Sequence, residues 1–290
     1  MAVDTTTAPE LTAEQVQRIL VQPLEAASTF LAAGPRIFDS AGPVRIPKMG
    51  GPITDPGSTG ENELIPERDV AFDEVQLLPS TMKSIKVLTR FSNELARQSV
   101  VSLDAALKAR LVKDVADKLD TQMWSASGDG TTTPRGLFAW TGTQTLAVGG
   151  PLTLDDLHDA EGLVLAANVD PSRARWVMTS REFVAVRKIK DLQDRYQVQP
   201  DPTEAGAYRL LGHPVMITNR IADASGTPNT GRAALVDFSQ IAVARDQSPS
   251  VKVLDQTFGD YDQQALRVTA RYDAAPLNPQ AVVKLTGITI

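Results

Sequence analysis

Residues 91–137 read FSNELARQSVVSLDAALKARLVKDVADKLDTQMWSASGDGTTTPRGL, and this stretch decides the fold. Leu103, Leu107, Leu111, Val115, Leu119 and Met123 recur every fourth residue, with Val112 and Ala116 beside them. That period puts them on one face of a helix running from about Leu103 to Trp124. Asp104 and Lys108, Lys113 and Asp117, and Asp114 and Lys118 are each four apart, the spacing at which side chains meet on a helix surface. Ser102 suits the N-cap, and no Pro or Gly interrupts before Gly128. Such a helix is roughly 30 Å long, a spine for whatever packs on it. Gly128 and Gly130 end it, and Pro134 prevents its resumption.

The rest of the 290 residues must cover that spine. Hydrophobic residues are 42% and charged residues 22%, the balance of a soluble globular chain. Aromatics are only 5%, so the core is aliphatic. There is no cysteine, which excludes disulfides, thiolate metal sites and thiol catalysis. The formal net charge of −6 argues against general affinity for nucleic acid, leaving room for a local basic patch. Met1 to Glu10 carries no basic residue and no apolar run follows it, so it does not read as a signal peptide. No stretch approaches the roughly 18 apolar residues of a membrane span.

Upstream of the spine, Thr12 and Gln15 form a capping-box pattern opening a helix to about Ala33, kinked at Pro23 and ended by Gly34-Pro35. This segment reads as an arm rather than part of a core. Residues 42–66 are rich in Gly and Pro, an irregular excursion longer than compact domains usually carry without a function. Two strand-like runs follow, one with Val70, Phe72 and Val75, the other with Ile85, Val87, Thr89 and Phe91 alternating with Lys86, Leu88 and Arg90. Pro79-Ser80 marks a bend between them. A two-stranded ribbon with a Gly/Pro-rich tip cannot bury its apolar face alone. It must lie on the body of its own chain or on a neighbour.

Downstream, Thr153 with Asp156 caps a helix to about Ala167, with Leu154, Leu157, Val164 and Ala167 as its apolar face and Gly162 as a weak point. Residues 175–179 read as a short buried strand, and Ser180 caps a helix carrying Phe183, Val186 and Ile189. Residues 214–218, 233–237, 241–244 and 251–254 read as short strands. The alternation over 153–254 predicts one compact mixed lobe. Leu266, Val268, Ala270 and Tyr272 alternate with Arg267, Thr269 and Arg271, a half-exposed strand, and Ala281 to Ile290 is a further strand. These last strands are expected beside the spine, with the 153–254 lobe inserted between the two parts.

Chemistry-bearing patterns are sparse. The two histidines are His158, among Asp155, Asp156 and Asp159 at a helix start that favours negative charge, and His213 in a turn after Gly212. No metal-ligand spacing is present. Gly128-Asp129-Gly130 before three threonines lacks the Lys and the strand-to-helix context of a phosphate loop. Arg173, Arg175, Arg181, Arg187, Lys188 and Lys190 make a basic cluster, read as a solvated face or a site of intersubunit ion pairing. No residue is singled out as catalytic, cofactor-binding or metal-ligating. Neither a carboxylate-based hydrolase nor a small-molecule binding protein finds support.

The order of several short strings resembles one family, the major capsid proteins of tailed phages with the Hong Kong 97-type fold. The strings are Ser92-Asn93-Glu94-Leu95, Gly128-Asp129-Gly130, Pro134-Arg135-Gly136-Leu137, Ala174-Arg175-Trp176-Val177-Met178, Leu211-Gly212-His213-Pro214-Val215, Val236-Asp237-Phe238, Arg271-Tyr272-Asp273 and Pro279-Gln280-Ala281. The resemblance runs from about residue 42 to the C-terminus. It implies an α+β fold: an N-terminal arm over 1–41, an extended β-hairpin loop over 42–90, a peripheral domain with the spine helix over 91–150 and 260–290, and an axial domain over 151–259.

The same resemblance implies a non-enzymatic, cofactor-free shell protein of a tailed bacteriophage or prophage. Identical subunits would meet in pentamers and hexamers of an icosahedral shell around double-stranded DNA, with the ribbon across a neighbour. A portal, a separate scaffolding protein, decoration proteins and non-specific contact with packaged DNA are the implied partners. The implied location is the virion capsid, assembled in the bacterial host cytoplasm with no membrane contact. The alternative on the same fold is an encapsulin-type nanocompartment shell enclosing enzymes. Where some members crosslink Lys to Asn near a Glu, the strand here reads Leu266-Arg267-Val268-Thr269-Ala270-Arg271, so no self-crosslinking is expected despite Lys48.

Overall fold

In the computed structural model, residues 28–49, 61, 72–92, 103–198, 208–226, 228–254 and 259–289 are described. The Thr12–Gln15 capping box, Pro23, most of the Gly/Pro-rich excursion, Asn93-Glu94-Leu95 and the Ser102 cap lie outside them, as do the side chains of the Asp104–Lys108 pair.

The chain runs through α1 (Thr29–Ala32), β1 (Arg36–Asp39), β2 (Val44–Met49), β3 (Phe72–Leu77), β4 (Ile85–Ser92) and α2 (Leu103–Met123). It continues with β5 (Gln144–Ala147), α3 (Leu154–Ala166), β6 (Ala174–Met178), α4 (Ser180–Arg187), β7 (Arg209–Leu210) and β8 (His213–Ile217). It ends with β9 (Gly231–Asp237), β10 (Ile241–Leu254), β11 (Gln263–Pro276) and β12 (Val282–Ile288). The architecture is mixed α+β. Three sheets form, in the orders β1-β10-β11-β4, β5-β12-β9-β6-β8-β7, and β2-β3.

The spine forms as its period predicts. Leu111, Val115, Ala116, Leu119 and Met123 of α2, and Trp124 after it, are buried. They meet Leu266, Val268, Ala270 and Tyr272 from one face of β11 and Ile85, Val87 and Phe91 from β4. The same cluster takes in Val177, Ala234, Val236 and Val282 from one face of the six-stranded sheet. Its other face, with Trp176, Met178, Leu235, Val283 and Leu285, packs with Leu157, Ala160 and Val164 of α3 and Phe183 and Val186 of α4. Strands buried on both faces read as continuous apolar runs, as β9 and β12 do.

Several expectations are corrected. The runs before the spine do not pair with each other. β3 pairs antiparallel with β2, inside the stretch expected to be irregular, and β4 pairs antiparallel with β11. Alternation reveals a strand's faces, not its partner. Residues 241–254 form one strand, not two, and they pair with β11 in the four-stranded sheet rather than within the 153–254 lobe. The apparent gap is a register shift between Asp246 and Ser250, where Pro249 has no N–H to give the ladder. β12 belongs to the six-stranded sheet, pairing with β9 and β5, and meets the spine through Val282 rather than by joining β11's sheet.

The end of the expected arm is core. Ser28 is extended and caps α1, so a continuous helix to Ala33 does not form. Phe30, Leu31 and Ala33 are buried, and β1 pairs in parallel with β10. Thr153 and Asp156 cap α3 reciprocally as predicted. α4, however, has Thr179 at its N-cap and begins at Ser180, whose hydroxyl donates instead to Asn219 Oδ1 (2.9 Å). On α2, Asp114 pairs with Arg110 (3.0 Å) rather than Lys118, and Asp117 reaches Arg220 (2.6 Å) rather than Lys113.

Candidate functional site

The described part of the β2–β3 hairpin stands on a small cluster. Leu77, Leu78, Met82, Ala242 and Ala244 form it, with Val44, Ile46 and Val75 packed against them. Among the described side chains of β2 and β3, only Leu77 at the root is buried. The hairpin has a home at its base and little cover beyond it.

The base is fastened from two sides. Leu78 has φ 51, a left-handed conformation costing on the order of 1–3 kcal/mol for a residue of this type. The turn it makes aims its N–H at Asp273 Oδ2 (2.9 Å), and Ala274 N–H donates to Oδ1 of the same carboxylate (2.9 Å). Burial pushes the Asp273 carboxyl up to about 6, against those two donors and the positive charges of Arg271 and Arg135. Arg271 donates to Asp246 Oδ2 (2.9 Å) and to the Pro79 carbonyl (2.6 Å).

The second fastening is the loop after the spine. The helix has already ended at Met123, so Gly128-Asp129-Gly130 is not its terminator. It is a turn wound on one carboxylate. Asp129 accepts from the N–H groups of Thr131, Thr132 and Thr133 (3.0, 2.9 and 2.9 Å) and from the Thr132 hydroxyl (2.7 Å). The Thr133 N–H, then the Thr132 hydroxyl, hold this carboxyl far below the usual carboxylate range. Gly128 has φ 110, and a Cβ there would meet the Pro134 carbonyl oxygen; a Cβ on Gly136 would meet that of Ser125. The loop then receives the hairpin base: Lys83 N–H donates to Thr132 O (2.9 Å) and the Thr81 hydroxyl to Thr131 O (2.7 Å). A cavity of about 460 Å³ lies between loop and root, with Glu74, Asp129, Arg135 and Asp273 on its walls.

A third fastening holds the N-terminal segment. Asp120 of α2 is buried and accepts from the Ser28 hydroxyl (2.5 Å), the Thr29 N–H and hydroxyl (both 2.8 Å) and the Phe30 N–H (3.2 Å). A carboxylate at a helix N-terminus satisfies its free donors. Phe30 then stacks edge-on against Trp124 and Phe238, with ring centroids 5.0 and 5.9 Å away.

The residues singled out in sequence fall in several places. His158 and His213 converge on Glu161, with Glu161 oxygens 4.0 Å from His158 Nδ1 and 3.4 Å from His213 Nε2. His213 is buried in β8 rather than lying in a turn. Glu161 was not singled out, because the closer of its two histidines, His213, lies 52 residues away. The basic cluster is dispersed. Arg181 binds buried Glu182 (2.8 Å) and Asp223 (2.9 Å), Arg187 lies over the Phe183 and Tyr208 rings, and Lys190 binds Asp194 (3.4 Å). Among the described residues, no group of three or more His, Asp or Glu is placed to hold a metal ion. No helix there is long and apolar enough to cross a membrane.

Buried carboxylates thus fasten the hairpin root and the N-terminal segment to the body of the fold. The phage capsid family model matches residues 10–287, and the chain belongs to that family. The family and the similar structures are structural proteins, not enzymes. Comparison with curated protein sequences finds no match. The fold is similar to the capsid of a native GTA particle (TM-score 0.74, 19% identity, covering 90% of this chain and 91% of that one). It is also similar to structures from Mycobacterium phage Bobi (0.67, 18%, 89% and 89%) and Microbacterium phage Oxtober96 (0.67, 19%, 90% and 90%).

Proposed function

We propose that this chain is the major capsid protein of a tailed bacteriophage or prophage. Identical subunits assemble through pentamers and hexamers into an icosahedral shell around packaged double-stranded DNA. The spine helix with the four-stranded sheet is the peripheral domain of a Hong Kong 97-type fold, and the six-stranded sheet with α3 and α4 is the axial domain. The β2–β3 hairpin is the base of the extended loop, and the chain before Ser28 is the arm. A portal, a scaffolding protein and decoration proteins are the further partners, contact with DNA is non-specific, and assembly takes place in the host cytoplasm.

The observation that carries this reading is the hairpin. Its root is clamped by Asp273, Arg271 and the Asp129 loop, yet beyond Leu77 its described side chains are not buried by this chain. A clamped lever without a cover at home suits a neighbour's surface, and closed symmetry gives every subunit such a neighbour.

Negative-stain electron microscopy of the purified chain, alone and co-expressed with neighbouring genes, tests it. Closed icosahedral particles, or pentameric and hexameric rings, are expected, with DNA in filled particles. A strictly monomeric protein under both conditions overturns the reading. Closed shells enclosing enzymes instead of DNA replace the phage reading with a nanocompartment.

A further inference from the structure

β4 ends its sheet. In the order β1-β10-β11-β4 it pairs with β11 on one side and, among the described residues, with no strand on the other. In an antiparallel pair, alternate residues turn their N–H and C=O groups toward the partner, and the residues between turn theirs away. β4 therefore carries an unpaired ladder along its free edge. A cleft of about 520 Å³ follows the first part of that edge. Ile85 and Val87 face the spine and Lys86 the opposite way, yet all three line it. Successive residues share a wall only where a cleft runs along a strand's edge rather than over one of its faces. α2 and residues 132–134 of the loop after the spine close the other side.

The cleft is cationic. Lys83 and Lys86 stand on its strand side and Lys118 on its helix side, all three exposed, and none of its described lining residues is acidic. Among the described residues, none of these lysines has an ionic partner. The positive charge continues onto the outer face of the sheet, where the register sets Leu88, Arg267 and Lys252 side by side across β4, β11 and β10, with Lys86 in the next row. Ile85, Val87 and Pro134 give the cleft apolar walls between the charges. Gln122 in the α2 wall has a buried Oε1 with no hydrogen-bond partner among the described residues. A chain of net charge −6 thus places unpaired cations, an unpaired ladder and an unmet acceptor along one edge.

Lysines on an edge strand guard it against pairing. That guard works against like strands: two copies of β4 set edge to edge would bring lysine against lysine. It works in favour of a strand of opposite charge. We infer that the free edge of β4 docks an extended acidic segment of a partner protein other than this chain, added to the four-stranded sheet as a further strand. The main chain of that segment completes the β4 ladder. Its acids meet Lys83, Lys86 and Lys118, and its alternate apolar residues pack on Ile85, Val87 and Pro134. A phosphate backbone would neutralise the lysines, but it has no N–H to give the edge or Gln122, so the site fits a peptide better than a nucleic acid. The inference goes beyond the assembly reading, and dispersed subunits suffice to test it.

The test uses dispersed full-length subunits and a fluorescent synthetic peptide of about eight residues that alternates Val and Glu. This peptide is expected to bind saturably and to slow amide hydrogen exchange over residues 84–88. A peptide of the same charge with Pro in place of each Val lacks half the N–H groups of a ladder and should bind about tenfold more weakly or worse. Lys83→Glu with Lys118→Glu should keep the wild-type melting temperature, weaken the Val–Glu peptide about tenfold or more, and take up a Val–Lys peptide instead. No binding of the Val–Glu peptide overturns the inference. Equal binding of the two acidic peptides to the wild type overturns it too, because charge alone then accounts for the contact. Duplex DNA that displaces the peptide and loses its own binding in the lysine variant assigns the cleft to nucleic acid and overturns it. Slow exchange at every amide of residues 84–88 before any peptide is added means that this chain or a second copy already covers the edge, which likewise overturns it. Each of these failures leaves the assembly reading standing.

Discussion

The two large sheets are built for different neighbours. In the six-stranded sheet, β9 and β12 bury nearly every side chain, because the spine side covers one face and α3 and α4 the other. Even its lysine is accommodated: Lys284 Nζ donates to the Trp140 and Phe138 carbonyls (2.9 and 3.5 Å), and burial pushes its pKa down. In the four-stranded sheet, β4 alternates, with Val87 and Phe91 inward and Lys86 and Leu88 outward. A sheet covered on both faces is complete as a folded chain, and its energetics belong to the subunit. A sheet covered on one and a half faces leaves surface open for association.

That contrast breaks most visibly at Trp176. It is fully buried in β6, and its Nε1–H donates to the Leu210 carbonyl (3.1 Å). Trp176→Ala removes a large side chain from a layer that cannot collapse and is expected to cost roughly 3–5 kcal/mol of subunit stability. Denaturant unfolding of dispersed subunits measures it. A loss below about 1 kcal/mol would mean this face is not packed by its own chain.

Faces of elements, and one capped end, were readable from sequence, while partners were not. The α2 stripe, the reciprocal Thr153–Asp156 cap and the alternation of β4 are set by residues within a turn or a pleat of each other. What lay hidden depends on distant chain. Asp120 looks like one more charge on an amphipathic helix until Ser28, Thr29 and Phe30 bring their donors to it from about 90 residues away. Asp273 looks like the end of a strand until Leu78, 195 residues earlier, turns its N–H inward. Lys86 and Arg267 were each visible as the exposed half of an alternating strand, and Lys252 only as part of a short strand. Only the register of β10, β11 and β4 makes them one patch.

Asp273 sharpens the contrast at the covered end of the outer face. Its carboxyl lies at about 6 in the folded chain against an ordinary 3.8, because burial favours the neutral form. The folded state therefore binds this proton more tightly than the unfolded one. Its contribution is fully present below about pH 4 and is lost as pH rises through about 6, a span of roughly 3 kcal/mol. Carboxylates held low, such as Asp129 and Asp39, act in the opposite sense at lower pH, so the informative quantity is a difference. Asp273→Asn keeps an acceptor for the Leu78 N–H and removes the titration. Wild type should lose stability relative to this variant between about pH 4 and about pH 6.5, read by urea unfolding. A flat difference would mean that water reaches the hairpin root and that this end of the face is open as well.

The smallest expected effect on the subunit falls at Leu88. Val87 and Leu88 are neighbours in β4 on opposite faces, one against the spine cluster and the other 47% exposed. Val87→Thr sets a hydroxyl against an apolar core and should cost roughly 1–2 kcal/mol. Leu88→Thr puts a β-branched strand former on an open face and should stay within about 0.5 kcal/mol of wild type. In shells the order reverses. Leu88→Thr strips the apolar centre from the cationic patch, so its shells should come apart at lower denaturant than those of Val87→Thr, once each is corrected for subunit stability. Equal losses from the two substitutions in dispersed subunits would place a cover from the same chain over Leu88. The four-stranded sheet would then be as self-sufficient as the six-stranded one, and the division between a folding sheet and an assembly sheet would dissolve.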